Sequence, residues 1–261
     1  MIDQKGVSRL GIVPMRAEPS HRSEMVNQLL FGEHYAVLET SRDKQWFNVS
    51  NYFDGYKGWI CENQHHSISE DYFEQINKSN YKISLDPITS ILYNRHPLFI
   101  PMGSILPISP NELFKVEEQL AFNGEAKDLG QKREYDFVRS IAVKYLHTPY
   151  LWGGKTPFGI DCSGYIQQVY KISGYFLPRD SGDQAKKGDS VLFDVRKPGD
   201  LAFFSDVGKK AVSHVGMVIE EDQIIHCSGS VRVDDLSGEG ILHADNGKLT
   251  HSLIEMRRIL I

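Results

Sequence analysis

Cysteine is scarce in this chain: there are three, Cys61, Cys162 and Cys227. So small and odd a number cannot build a disulfide framework and leaves at least one thiol free. That fits a reducing compartment and a reactive thiol better than a stapled secreted scaffold. Long apolar runs are missing too, the longest spanning only a handful of residues, so no membrane-spanning helix is expected. No cluster of lysine and arginine occurs, and 34 acidic against 29 basic residues leave a formal net charge of -5. Nucleic acid is therefore not an expected partner. The opening Met-Ile-Asp-Gln-Lys-Gly lacks the basic-then-apolar pattern of a secretory leader. The expectation is a cytoplasmic protein, or a periplasmic or envelope protein whose leader has been removed.

What is present is an ordinary globular composition, 41% apolar and 24% charged over 261 residues, with room for more than one domain. The first sixty-odd residues carry short apolar runs at 11–15, 35–39, 46–49 and 58–61, separated by turn-rich stretches at 17–22 and 51–55. About five short strands in that length point to a small barrel. Residues 66–126 hold a helical stretch near 69–78, then apolar runs at 88–93, 99–106 and 113–122. These are interrupted by Pro87, Pro97, Pro101, Pro107 and Pro110. So many prolines read as edge strands and turns, either a second, degenerate barrel or a structured linker. From about Gln131 the pattern changes. Apolar residues at helical spacing predict helices over 134–144 and 161–173, and strands follow at 200–204, 213–219, 224–227 and 253–259. Helices first and an antiparallel sheet after is an α+β arrangement.

The second helix begins at Cys162, with Asp161 as a plausible N-cap and Gly164 in the first turn. A nucleophilic thiolate needs a lowered pKa, an imidazole within reach and a partner that orients that imidazole. Unpaired N–H groups at a helix start favour the negative charge, and Gly164 leaves room for a substrate backbone. The preceding Tyr150-Leu151-Trp152-Gly153-Gly154 can wall a cleft. His214 and His226 lie on a predicted hairpin. If Ile219 pairs with Gln223 across a three-residue turn, Gly216 faces His226 and His214 sits diagonally on the same side, about 7–8 Å away. A two-residue turn without a bulge would put the histidines on opposite faces.

These residues carry a resemblance. Tyr150-x-Trp152-Gly153-Gly154, Asp161-Cys162-Ser163-Gly164, Leu177-Pro178-Arg179-Asp180-Ser181 with Gln184, Gly199 to Phe204, His214-Val215-Gly216 and Ile224-Ile225-His226 follow one another in the order found in the NlpC/P60 peptidases. The match covers about residues 131–260. Likewise Met15 to Ser20, Gln28 to Glu33 and Gly55-Tyr56-Lys57-Gly58-Trp59-Ile60 resemble a bacterial SH3 (SH3b) domain over roughly residues 6–62. The resemblance implies an SH3b domain at 1–65, a second, degenerate SH3b-like domain or linker at 66–126, and an NlpC/P60 catalytic domain at 127–261. The fold it implies is α+β, with helices packed on an antiparallel sheet behind small all-β barrels. It implies Cys162 as nucleophile, His214 as base and then acid, His226 as the residue orienting His214, and Tyr150 near the developing oxyanion. Asp161, Ser163 and Ser181 would line the substrate cleft.

The pairing of SH3b and peptidase resembles the γ-D-glutamyl-L-diamino acid endopeptidases of dipeptidyl-peptidase VI type. That implies hydrolysis of the γ-D-Glu–diamino acid bond in peptidoglycan stem peptides that bear a free N-terminal L-Ala, as in murein recycling. Glu18 and Tyr56 sit where such relatives hold the free amine. The expected enzyme needs no metal or organic cofactor and acts as a monomer on peptidoglycan-derived peptides. Rival readings are a wall-remodelling hydrolase of intact murein, an acyltransferase on the same fold, and a non-catalytic wall-binding protein.

Taken singly, each residue also has a plainer meaning. A cysteine is commonly core, a strand histidine is commonly structural, and the spacing of His214, His226 and a cysteine matches no zinc pattern. Cys227, turned away from the site by strand alternation, is expected to be a buried small hydrophobe. Asp200 would support a turn, Trp46 and Trp59 would pack the first barrel, and His65, His66 and His243 would be solvated.

Overall fold

The computed structural model describes residues 4–78, 81–106, 120–122 and 124–260. The chain forms two compact units, Met1–Gln131 and Lys132–Ile261.

In the first unit, β1 (Gln4–Val7), β2 (Ile12–Arg16), β3 (Met25–Leu30), β4 (His34–Thr40), β5 (Trp46–Asn51), β6 (Lys57–Cys61) and β7 (Ser67–Ile68) make one sheet. Its order is β3-β2-β6-β5-β4-β1-β7. Period-two alternation sends Val13, Met15, Leu29, Tyr35, Val37, Val49 and Ile60 into a common core. Trp46 is buried at the rim of this barrel, with the His21 ring edge-on at 4.7 Å. His65 is not the solvated loop residue expected. Its ring bonds the Tyr35 hydroxyl at 3.0 Å and the Gln4 amide at 2.8 Å, and burial lowers its pKa.

After α1 (Glu70–Lys78) come β8 (Lys82–Ser84), β9 (Ile88–Tyr93), β10 (His96–Pro101), β11 (Ile105–Leu106), β12 (Leu120–Phe122) and β13 (Ala126–Asp128). They form two three-stranded sheets, β10-β9-β12 and β11-β8-β13. Pro97 and Pro101 lie on β10, an edge strand, where a missing N–H costs no ladder bond. Most of the apolar run at 113–122, together with Pro107 and Pro110, lies outside the described residues. Phe31, just past β3, shares a core with Ile91, Ile100 and Leu106, and its carbonyl accepts from the Ile105 N–H at 2.8 Å. Residues 82–128 therefore pack into the barrel's own unit.

The second unit holds α2 (Tyr135–Val143), β14 (Lys155–Thr156), β15 (Gly159–Ile160), α3 (Cys162–Ile172) and α4 (Ser181–Gln184). The strands β16 (Asp189–Val191), β17 (Leu201–Asp206), β18 (His214–Glu220), β19 (Gln223–Ser228), β20 (Ser230–Ser237), β21 (Gly240–Leu242) and β22 (Leu249–Arg258) complete it. The sheet runs β16-β22-β17-β18-β19-β20-β21, and β21 pairs with β22 as well. Six antiparallel strands thus close on themselves, and α3 packs against β18 and β19. The α+β expectation holds in outline, but helices on an open sheet describe this unit only in part. Its helices span 9, 11 and 4 residues, and the sheet dominates. Every residue of α3 is buried, so this helix is the unit's centre, not its surface. Asp200 holds the turn before β17 by accepting from the Lys197 N–H, and it also takes two bonds at 2.7 Å from Arg258 of β22.

Candidate active site

The start of α3 is fixed by one carboxylate. Asp161 has extended backbone angles, and its Oδ1 accepts from the Gly164 N–H at 2.7 Å, which satisfies one of the unpaired donors of the first turn. Its Oδ2 accepts from the Gly153 N–H at 2.8 Å, which pins the Tyr150–Gly154 loop to the helix. The Arg179 guanidinium grips both oxygens, with Nη1 at 2.9 Å from Oδ1, and also donates to the Ser163 hydroxyl at 2.9 Å. All three side chains are nearly inaccessible. Gln184 of α4 donates to the carbonyls of Ser163 and Pro178, both at 2.9 Å, so the segment carrying half-buried Ser181 is tied to the same turn. Gly164 does not open space for a substrate, as its position had indicated. A β-carbon there would stand 2.5 Å from the Gly154 carbonyl oxygen, so the loop itself fills that room.

Cys162 is the first residue of this helix, with its thiol 4.0 Å from the carbonyl of Ser213, the neighbour of His214. The thiol is not the acidic one expected. Burial and the Asp161 charge push it up to about 12, against the pull of the Val215 and Ser163 backbone N–H groups and of Arg179. His214 moves the opposite way: burial, then the nearby imidazoles of His226 and His251, lower its pKa well below the ordinary histidine value. Both shifts favour the uncharged form of each group.

The hairpin that brings the histidines together has the expected pairing by a different route. Gly216 faces His226, but the turn after Glu220 is tight, and a bulge at Ile219 restores the register. A β-carbon on Gly216 would come within 2.9 Å of the His226 Cβ, so only glycine leaves that ring its place. His214 Nε2 lies 2.8 Å from His226 Nδ1, with the rings nearly perpendicular. His226 Nε2 in turn lies 2.9 Å from Asp234 Oδ2. One group thus stands on each of β18, β19 and β20, each diagonal to the next across the ladder.

This chain fixes the tautomers. Burial alone would raise the Asp234 carboxyl, but bonds from His226, the Ala244 N–H and Arg232 outweigh it and hold the group at about 2. An ionised carboxylate only accepts, so His226 carries its proton on Nε2 and leaves Nδ1 bare. Nδ1 can then only accept from His214, whose proton sits on Nε2. His214 Nδ1 keeps the free lone pair. Nδ1 is therefore the nitrogen of His214 left able to take up a proton.

Tyr150 is 37% exposed, and its N–H donates to the Gly229 carbonyl at 2.9 Å. Burial, then the Cys162 and Asp161 charges, raise its pKa, so the hydroxyl keeps a proton to donate. Leu151, Trp152 and Phe158 expose large apolar surfaces around the loop that leads to Cys162. Cys227 is buried on the face away from His226, as alternation required, with its thiol 3.2 Å from the Ile160 carbonyl. Among the described residues no group of three or more His, Cys, Asp or Glu is placed to hold a metal ion. In the first unit Glu18 is exposed between β2 and β3, and Tyr56 packs on the barrel core just before β6.

Three members of this constellation escaped the sequence reading: Arg179, Asp234 and His251, whose ring stacks on His214 at 4.2 Å. Asp234 had one legible signal, since it shares strand parity with the core residue Leu236.

The NlpC/P60 family model matches residues 147–248, and the bacterial dipeptidyl-peptidase Sh3 domain model matches 15–64. The chain is 32% identical over 218 residues to the gamma-D-glutamyl-L-lysine dipeptidyl-peptidase of Bacillus subtilis, covering 76% of this chain and 71% of that protein. It is 25% identical over 236 residues to the dipeptidyl-peptidase 6 of Lysinibacillus sphaericus, covering 81% and 83%. A crystal structure of an NlpC/P60 family protein from Bacillus cereus superposes with a TM-score of 0.79 at 21% identity, over 98% of this chain and all of that one.

Proposed function

From the premise that the chain belongs to the NlpC/P60 family and is a cysteine peptidase, we propose that it hydrolyses the γ-D-Glu–diamino acid bond of peptidoglycan stem peptides bearing a free N-terminal L-Ala. The observation that carries the reading is the relay from Asp234 through His226 to His214, with the Cys162 thiol on a capped helix start, 4.0 Å from the carbonyl of Ser213, the residue before His214. The name of the B. subtilis protein, a gamma-D-glutamyl-L-lysine dipeptidyl-peptidase, supports a substrate of that class.

The steps follow from the tautomers. As the Cys162 sulfur attacks the γ-carbonyl, His214 Nδ1 takes the thiol proton and the imidazolium keeps its Nε2–H on His226. The Tyr150 hydroxyl and the Cys162 backbone N–H face the oxygen on which charge develops. His214 then passes the proton to the amine of the departing diamino acid, the C–N bond breaks, and an acyl-enzyme remains. Water, deprotonated by the same Nδ1, releases L-Ala-D-Glu. Asp161 and Arg179 keep the helix start and its loop in place throughout, and Ser163 and Ser181 stand beside them.

In this reading the Glu18 carboxylate pairs with the substrate's ammonium and Tyr56 flanks it. A charge-assisted bond of that kind is worth about 1.5–3 kcal/mol, so Glu18→Gln should lower kcat/KM on the free-amine peptide about 10- to 100-fold.

The test is cleavage of L-Ala-γ-D-Glu-meso-diaminopimelate, its L-Lys counterpart and their N-acetylated forms, by wild type and Cys162→Ala. Release of L-Ala-D-Glu from free-amine peptides alone, lost by on the order of 10⁴-fold or more in the alanine variant, supports the proposal. Equal cleavage of acetylated and free peptides points instead to hydrolysis of intact murein. Absence of cleavage overturns the substrate assignment.

A further inference from the structure

One ring nitrogen of His214 bonds His226 and the other keeps its lone pair, so both act in the plane of the ring, which leaves only its faces to be occupied. One face is covered by His251, whose ring centroid lies 4.2 Å away with the planes 21° apart. The same ring stands 6.1 Å from His226 and nearly perpendicular to it. His251 belongs to β22, paired with Asp206 of β17 on one side and Ile241 of β21 on the other, and its Nδ1 lies 3.0 Å from the Thr250 hydroxyl. The stack is thus held by the closed sheet itself and by a local side-chain bond.

We propose that His251 is a positioning residue for the base: stacked on His214, it fixes that ring's rotation and shares the charge the ring gains when Cys162 loses its proton. This rests on His214 being the base, the reading given above.

A neutral imidazole presents an electron-rich face, and a cation over such a face is stabilised, more so when water is excluded. His214 becomes that cation during proton transfer. A protonated His251 would do the reverse, setting two like charges face to face at short range. The groups facing His251 are Asp206 on β17, His214 on β18, His226 on β19 and Asp234 on β20. The carboxylates favour its protonation, but burial and His226 oppose it more strongly, so its pKa is lowered. At neutral pH the stack holds the form that helps. Below the ordinary histidine range a proton on His251 switches it off, and because the rings are stacked it opposes a proton on His214.

The test uses His251→Ala and His251→Phe in the full chain, with two readouts. One is the pH dependence of kcat and KM on the free-amine tripeptide from pH 5 to 8. The other is the rate of Cys162 alkylation by iodoacetamide, read by mass spectrometry at that residue, which needs no substrate. The alanine variant should lose about 2- to 30-fold in kcat and in alkylation rate, the range a cation over an aromatic face supports, with KM little changed. Phenylalanine keeps a ring that cannot titrate, so it should recover most of the loss and make the acid limb shallower by one proton. Wild-type alkylation rates and an unchanged acid limb in His251→Ala would overturn the inference. So would equal losses in both variants with a wild-type acid limb, because packing alone gives that pattern. If wild type cleaves no tripeptide while alkylation still responds, the substrate reading has failed and this inference stands.

Discussion

Two of the carboxylates that the catalytic unit buries, Asp161 and Asp234, serve opposite ends. Asp161 is encircled by fixed partners, two backbone N–H groups, the Ser163 hydroxyl and one guanidinium, none of which changes charge during a reaction. Asp234 also has fixed donors, Arg232 and the Ala244 N–H, but one of its oxygens is aimed at an imidazole. The first holds a loop and a helix end together. The second sets the position of a proton two residues away. A buried acid is therefore identified by what its partners can do, not by its burial.

Breaking the first arrangement should have the larger effect. Arg179→Leu leaves Asp161 charged and buried without its partner, a change that costs about 3–5 kcal/mol. Thermal unfolding of the variant should show a clear drop in Tm, and activity should fall with it, since the Cys162 turn is no longer held. Arg179→Lys keeps the charge but not the two-pronged grip, and should fall between the two. If Arg179→Leu unfolds like wild type, Asp161 does not depend on that grip.

Asp234→Ala should act on turnover beyond any loss of stability. Without the carboxylate, His226 is free to carry its proton on Nδ1, and His214 then loses the bias that leaves its own Nδ1 bare. Loss of the correct tautomer should lower kcat by about 10- to 100-fold with KM nearly unchanged. A kcat within twofold of wild type would mean that the relay ends at His226.

The contrast also marks which features were legible. Asp161 belongs to a contiguous motif, so its place before the helix, the cysteine behind it and the N-cap all followed from adjacent letters. The histidine register was legible because strand parity is strict, although the Ile219 bulge that produces it was not. Arg179 was visible in Leu177-Pro178-Arg179-Asp180-Ser181, yet nothing local says that its side chain folds back eighteen positions to Asp161. Asp234 and His251 were out of reach for a related reason. Asp234 stands on Ser230–Ser237, too polar to announce a buried strand, and His251 lies in the polar start of Leu249–Arg258, ahead of the stretch at 253–259 that did read as strand. The inward-facing polar groups that weakened the strand signal are the ones the site uses. The sheet was understated by the same omission, because the strands that were missed help to close it.

Acid should sharpen the comparison further, by a smaller effect. The Asp234 carboxyl sits at about 2 in the folded protein, against an ordinary value of 3.8. A group whose folded pKa is depressed contributes stability that is present above its unfolded value and is lost as pH falls through the folded one. The Asp234 share should therefore be intact above pH 4 and disappear between about pH 4 and pH 2. His214 acts earlier: its folded pKa is also depressed, so below the ordinary histidine value of 6.5 the unfolded chain takes up a proton that the buried ring refuses, and stability declines from there. Urea unfolding across pH 2 to 8 should show two sloping regions, one beginning near pH 6.5 and one near pH 4. Asp234→Asn should flatten only the lower one. An unchanged lower region in Asp234→Asn would mean that this carboxyl titrates alike in the folded and the unfolded chain.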